Sequence, residues 1–101
     1  MRIDVEKRKF CVANKTGGLS GSAIKPIALR MVYQVCHAVK IPVIGMGGIA
    51  TINDVLEFIM AGATGIAIGT ANFNNSFVMP EIISELSKYM EENNIETLDE
   101  I

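Results

Sequence analysis

The sequence predicts an α/β fold, the C-terminal part of a (β/α)8 TIM barrel, and three observations predict it. Two short apolar runs without alternation, Ile41–Ile44 and Gly65–Ile68, have the pattern of strands buried on both faces. An amphipathic helical pattern joins them within about 30 residues, the length of one right-handed βαβ unit with parallel strands. Each run also ends in glycines followed by a polar turn, and paired phosphate turns suit strands seven and eight of such a barrel. On this assignment Ile41–Gly45 is strand seven and Gly65–Gly69 is strand eight. A whole barrel takes ~250 residues, so 101 residues are well under half of one.

The elements follow in order. Residues 2–13, RIDVEKRKFCVA, alternate loosely around the charged run Glu6-Lys7-Arg8-Lys9, which predicts a small hairpin or arm with a solvated tip. Asn14–Gly21 is too rich in glycine and polar residues for regular structure and reads as the end of the excursion after strand six. Helix six is expected from about Ser22 or Ala23 to Val39, with Pro26 tolerated in its first turn. Its main apolar face is Ile24, Ile27, Ala28, Met31, Val35 and Ala38, widened by Leu29, Val32 and Cys36, while Lys25, Arg30, Gln34 and His37 point elsewhere. Strand seven comes next, with Gly45-Met46-Gly47-Gly48 as its turn.

Thr51 and Asp54 form a capping-box pattern that opens helix seven. Ile52, Val55, Leu56, Ile59 and Met60 make its apolar stripe, and Gly62 stops it. After strand eight, Thr70–Ser76 is a polar loop. Pro80 opens helix eight, with Ile82, Ile83, Leu86 and Met90 inward and Asn93-Asn94 at its end. Thr97 and Glu100 repeat the capping-box signal. Residues 1–21 are thus a hairpin and glycine loop, and 22–101 a helix-strand-helix-strand-helix unit with a tail, all within one domain.

Half of the residues are hydrophobic and 20% are charged, so the chain is globular rather than disordered. The net charge of −2, with no basic stripe, argues against a nucleic-acid partner. No apolar run approaches the ~18 residues of a membrane span, and the first residues do not read as a signal peptide. Cys11 and Cys36 form no CxxC pair, so reduced thiols and a cytoplasmic location are expected. His37, the single histidine, has no carboxylate or second ligand at helical spacing and reads as a surface residue.

The glycines carry the chemistry. Without a Cβ, an anionic oxygen can approach backbone N–H groups closely, and a following helix N-terminus adds partial positive charge. Two such turns side by side predict one phosphate held between neighbouring strand tips. Gly45–Ala50 also satisfies G-x-G-x-x-A, the dinucleotide fingerprint. That fold places an acidic residue at the end of the next strand to bind ribose, and here the position is Gly69-Thr70. A glycine and a hydroxyl cannot replace a carboxylate, but they suit a second phosphate arm.

Three motifs, NKTGGLSG at 14–21, IPVIGMGGI at 41–49 and GIAIGTANF at 65–73, together with the helical segment AIKPIALRMVYQV, give the chain a family likeness. It resembles the C-terminal portion of dihydroorotate dehydrogenase, class 1B catalytic subunit. The resemblance implies an FMN enzyme of the cytoplasm that oxidises dihydroorotate to orotate in pyrimidine (UMP) biosynthesis. Electrons would pass through a partner subunit carrying FAD and an iron–sulfur cluster to NAD. It places Gly21, Gly47, Gly48, Gly69 and Thr70 at the FMN, with the Gly21 loop closing over the cofactor.

In the family, the cysteine base, the lysine near the flavin and the asparagines that hold orotate come from earlier strands, so the resemblance implies no catalytic residue here. Neither Cys11 nor Cys36 sits in a matching loop, and the 101-residue chain alone is expected to be inactive. Phe10 and Ser22 stand where the family usually has proline. Met1 falls where it has an internal methionine, which suggests a downstream start, a truncated gene or an excised piece. Association with the rest of the barrel, or a homo-oligomer, is expected. Two alternatives are a non-catalytic, self-associating barrel fragment and a different phosphate-binding TIM-barrel enzyme.

Overall fold

A computed structural model describes residues 1–101. Strands β1 (Ile3–Asp4) and β2 (Lys9–Phe10) pair antiparallel, Ile3 opposite Phe10, as the loose alternation predicts. Asp4 holds the turn by accepting from the Lys7 amide at 3.0 Å. Residues 11–21 have no regular structure, as their glycine content requires. A 3-10 turn over Ser22–Ile24 leads into helix α1 (Lys25–Ala38), with Pro26 in the first turn.

Helix α1 buries only part of the expected face, Ala28 with the residues that were expected to widen it. Ala28 and Val32 are buried, and Leu29 and Cys36 pack against the same core. Ile27, Met31 and Val35, assigned to the main face, are 53%, 60% and 45% exposed. This helix is apolar around much of its circumference, so the packed side is chosen by tertiary neighbours and not by periodicity. Those neighbours, β3 and α2, lie along the Ala28–Val32 line.

Strand β3 is Ile44–Met46, later than the expected Ile41–Gly45. Pro42 has no amide to give a ladder, and pairing begins where the Val43 carbonyl accepts from Thr64 at 2.8 Å. Gly45 and Met46 therefore belong to the strand, and the turn proper is Gly47-Gly48. Strand β4 (Gly65–Ala67) runs parallel to β3, with Gly45 opposite Ile66. The pair is not buried on both faces as predicted. Gly45 and Ile66 face the helices, while Ile44 and Met46, on the other side of the pleat, are 68% and 65% exposed.

Helix α2 (Ile52–Met60) begins with the predicted capping box, Thr51 accepting from the Asp54 amide and Asp54 from the Thr51 amide. Val55 and Leu56 are buried as expected, but Met60 is not. The most deeply buried side chain of the molecule is Phe58, at 0% exposure, which lies outside the expected stripe. It fits because Gly45 lies opposite: a Cβ there would sit 2.6 Å from the ring. Thr70–Ser76, expected as loop, contains a four-residue helix, α3 (Ala71–Asn74). Helix α4 (Val78–Glu92) starts two residues ahead of Pro80 and buries Val78 and Ile82, whereas Ile83 faces solvent. A final 3-10 turn over Leu98–Glu100 carries the second predicted capping box.

The result is a slab of 57 × 34 × 16 Å with the helices on one face of a two-stranded sheet. Its radius of gyration is 16.8 Å, against about 13 Å for a compact chain of this length. Only 10 of the 101 residues are buried. No helix is long and apolar enough to cross a membrane.

Candidate functional site

The carboxyl ends of β3 and β4 open onto a cleft of about 390 Å³, within the usual range for small-molecule sites. Gly21, Gly47, Gly48, Gly69 and Thr70, predicted from three separated stretches of the chain, all line it. Ser20, Ser22, Met46, Ala67 and Asn74 line it as well, and no charged side chain does. An anion in this cleft would meet backbone amides and hydroxyls rather than a cation of this chain.

The two turns are built differently. Gly47 and Gly48 have φ of 125° and 72°, conformations that side-chain-bearing residues rarely adopt. A Cβ on Gly47 would lie 2.6 Å from the Ala28 methyl. On Gly48 it would lie 2.8 Å from the Gly21 carbonyl oxygen and 2.9 Å from the Lys25 backbone nitrogen. Packing against the start of α1 thus explains both glycines. At Gly69 neither explanation applies: its φ is not positive, and no atom lies within 4 Å of the Cβ position. A methyl there would project into open space, which is the room a ligand oxygen needs.

Donors are available at this place. None of the backbone-to-backbone bonds outside the helices and strands starts from the amide of Gly48, Gly69 or Thr70. The Thr70 hydroxyl caps no helix. Asn72 braces the second turn by donating from Nδ2 to the carbonyls of Ile68 at 2.8 Å and Gly69 at 3.0 Å. Sequence reasoning missed that role, because the residue sits in a polar stretch with no pattern to mark it.

One electrostatic expectation is corrected. The start of α2 was to lend its positive end to the ligand, but the amides of Ala50 and Thr51 both donate to Asp54 Oδ2 at 3.0 Å. Asp54 Oδ1 in turn takes the Lys25 ammonium at 2.6 Å, and Glu57 takes it at 3.3 Å. Burial would push the Asp54 carboxyl up, but the Lys25 hydrogen bond and the two amides outweigh it and hold the group below its ordinary value. The same hydrogen bond, donated by Lys25 to Asp54 and opposed by burial, raises the Lys25 ammonium above its ordinary value. Lys25 was expected to point away from the packed surface and instead bridges α1 to α2.

Neither cysteine reaches the cleft. Cys11 is exposed beyond β2, and Cys36 packs beside Gly62, where a Cβ would lie 2.8 Å from its own. His37 is exposed, its Nδ1 2.7 Å from the Tyr33 carbonyl.

Comparison with known proteins decides the relationship. The family model for dihydroorotate dehydrogenase matches residues 1–90. The chain belongs to the dihydroorotate dehydrogenase family. It is 55% identical over 101 residues to the dihydroorotate dehydrogenase B (NAD(+)) catalytic subunit of Lachnoclostridium phytofermentans, covering 100% of this chain and 34% of the relative. The subunit of the same name from Halalkalibacterium halodurans is 57% identical over 101 residues, again 100% of this chain and 33% of the relative. That of Geobacillus sp. (strain WCH70) is 58% identical over 100 residues, 99% of this chain and 32% of the relative. The chain therefore spans about a third of the length of the dihydroorotate dehydrogenase subunits it matches. The family is one of oxidoreductases, and the word catalytic subunit in its relatives' names implies a second subunit beside them.

Proposed function

We propose that this chain supplies the phosphate cradle of the flavin site in a dihydroorotate dehydrogenase, the quarter of a (β/α)8 barrel that holds strands seven and eight. The observation that carries this is the convergence of Gly47-Gly48 and Gly69-Thr70 on one cleft, with the Gly21 loop on its rim. The chain's part is to hold the FMN phosphate. The amides of Gly48, Gly69 and Thr70 and the Thr70 hydroxyl are the donors, and Gly69 leaves the space. Held there, FMN would supply the two-electron acceptor for the oxidation of dihydroorotate to orotate. A partner subunit carrying FAD and an iron–sulfur cluster would relay them to NAD.

The barrel assignment draws support from the apolar surface. Ile44 and Met46 lie where a barrel interior would be, and Ile27, Met31 and Val35 lie where adjoining helices would pack. The same exposure favours a second reading, self-association of the chain through its open strand edges. No residue here is placed to act as base toward dihydroorotate, so the chain alone should form no orotate.

The test is titration of the chain with FMN and with riboflavin, followed by flavin fluorescence. A phosphate cradle gives FMN an advantage of about tenfold or more, worth about 1.4 kcal/mol. Equal affinity for the two, or no binding of FMN, would overturn the assignment. Orotate production by the chain with FMN and an electron acceptor would overturn the claim that its base lies elsewhere.

A further inference from the structure

We propose that Lys25 is a positioning residue for the phosphate cradle, acting on the Gly47-Gly48 turn from two sides without touching the ligand. This rests on the reading of the two turns as a cradle. Lys25 meets the turn first through its own backbone and Cβ, which lie 2.9 Å from where a Gly48 Cβ would be. It meets it again through its ammonium. Asp54 Oδ1 binds Nζ at 2.6 Å, and Asp54 Oδ2 accepts the amides of Ala50 and Thr51, the residues that carry the chain out of the turn. The Gly21 carbonyl, against the same glycine, accepts from the Ile24 amide at 3.1 Å, so the loop on the cleft's rim is tied to the start of α1 as well.

Lys25 is not itself a phosphate counter-ion. It does not line the cleft, and two carboxylates already engage its charge. Asp54 is only 13% exposed, so removing its cationic partner leaves a largely buried carboxylate to be rehydrated. The group best able to move in response is the short turn that its other oxygen holds. An anion site made of main-chain amides works only while those amides stay aimed, so a shift at Ala50 and Thr51 is felt at Gly48.

The variants are Lys25→Met, which keeps the aliphatic stem, and Lys25→Arg, whose guanidinium can still bridge both carboxylates. FMN affinity, the phosphorus NMR resonance of bound FMN, and hydrogen exchange at Ala50 and Thr51 are measured on the full chain. Lys25→Met should weaken FMN by about tenfold, move the phosphorus resonance toward that of free FMN, and speed exchange at both amides; Lys25→Arg should restore all three. Unchanged affinity and resonance in Lys25→Met would overturn the proposal. So would a lowered unfolding midpoint with the resonance unmoved, which assigns Lys25 to stability alone. Should Lys25→Met fail to fold, Asp54→Asn cuts the same link from its other end, since one carbonyl oxygen cannot hold both the Lys25 ammonium and the two amides, and it must show the same resonance shift. If the wild-type chain binds no FMN, the cradle itself is refuted. Exchange at Ala50 and Thr51 then decides separately whether Lys25 fixes the turn.

Discussion

Alanine at Gly69 and alanine at Gly48 should fail in opposite ways, because only one of these glycines is needed by the fold. At Gly48 the backbone is left-handed, φ 72°, which costs an alanine about 1–2 kcal/mol. Its methyl would also meet the Gly21 oxygen at 2.8 Å and the Lys25 backbone at 2.9 Å, neither the tip of a flexible side chain. Overpacking of this kind typically adds 1–3 kcal/mol. The sum, roughly 2–5 kcal/mol, is a large share of the 5–15 kcal/mol that holds an ordinary domain together. With a urea slope of about 1–3 kcal/mol per molar, the unfolding midpoint of Gly48→Ala should drop by about 0.7 M or more.

Gly69→Ala faces no clash and no left-handed backbone. Loss of glycine's freedom in the unfolded chain should raise its stability by about 0.4–1 kcal/mol. The methyl instead enters the cleft beside the amides of Gly69 and Thr70, so FMN binding should fall although the fold does not. Urea unfolding and FMN titration on the same two variants separate the cases. A Gly69→Ala chain that loses more than about 1 kcal/mol of stability but still binds FMN would refute the cradle, because Gly69 would then serve packing.

Three further outcomes are expected. Phe58→Ala, which empties the most buried position opposite Gly45, should cost about 3–5 kcal/mol, read from the urea midpoint. Asp54 binds its proton more weakly folded than unfolded, so its contribution is full well above its ordinary value of 3.8 and is lost as pH falls through the lower folded value. The urea midpoint should decline there and Asp54→Asn should flatten that limb. Finally, sedimentation of the chain should show a mass that rises with concentration, because β3 and β4 each offer an unpaired edge. A compact monomer at every concentration would count against association.

What the sequence made legible is whatever neighbouring residues settle among themselves. The Thr51–Asp54 box, the proline in the first turn of α1 and the glycine turns after each strand are local, and the structure has each of them in place. The two glycine turns could be paired in advance for a related reason: parallel strands joined by a short crossover must bring their carboxyl ends to the same side, whereas Gly21 was placed beside them only by the family resemblance. What stayed hidden depends on partners distant in the chain. Phe58 is off the stripe of α2 and buries only because Gly45, on the facing strand, leaves room for its ring. Lys25 and Asp54 are 29 residues apart, and no periodicity within either helix relates them.

The inward side of α1 shows the same limit most plainly. Its sequence offers two apolar faces, and the structure packs the one with the smaller side chains, Ala28 and Val32, against β3 and α2. Close approach explains the preference, since Gly47 and Gly48 must lie against this helix and a larger residue at 28 would hold them off: even the Ala28 methyl is 2.6 Å from where a Gly47 Cβ would be. The larger face, Ile27, Met31 and Val35, is left for something outside these residues to cover. The demand of the glycine turn for a tight neighbour thus fixes the orientation of the helix, and the site and the core are one packing problem.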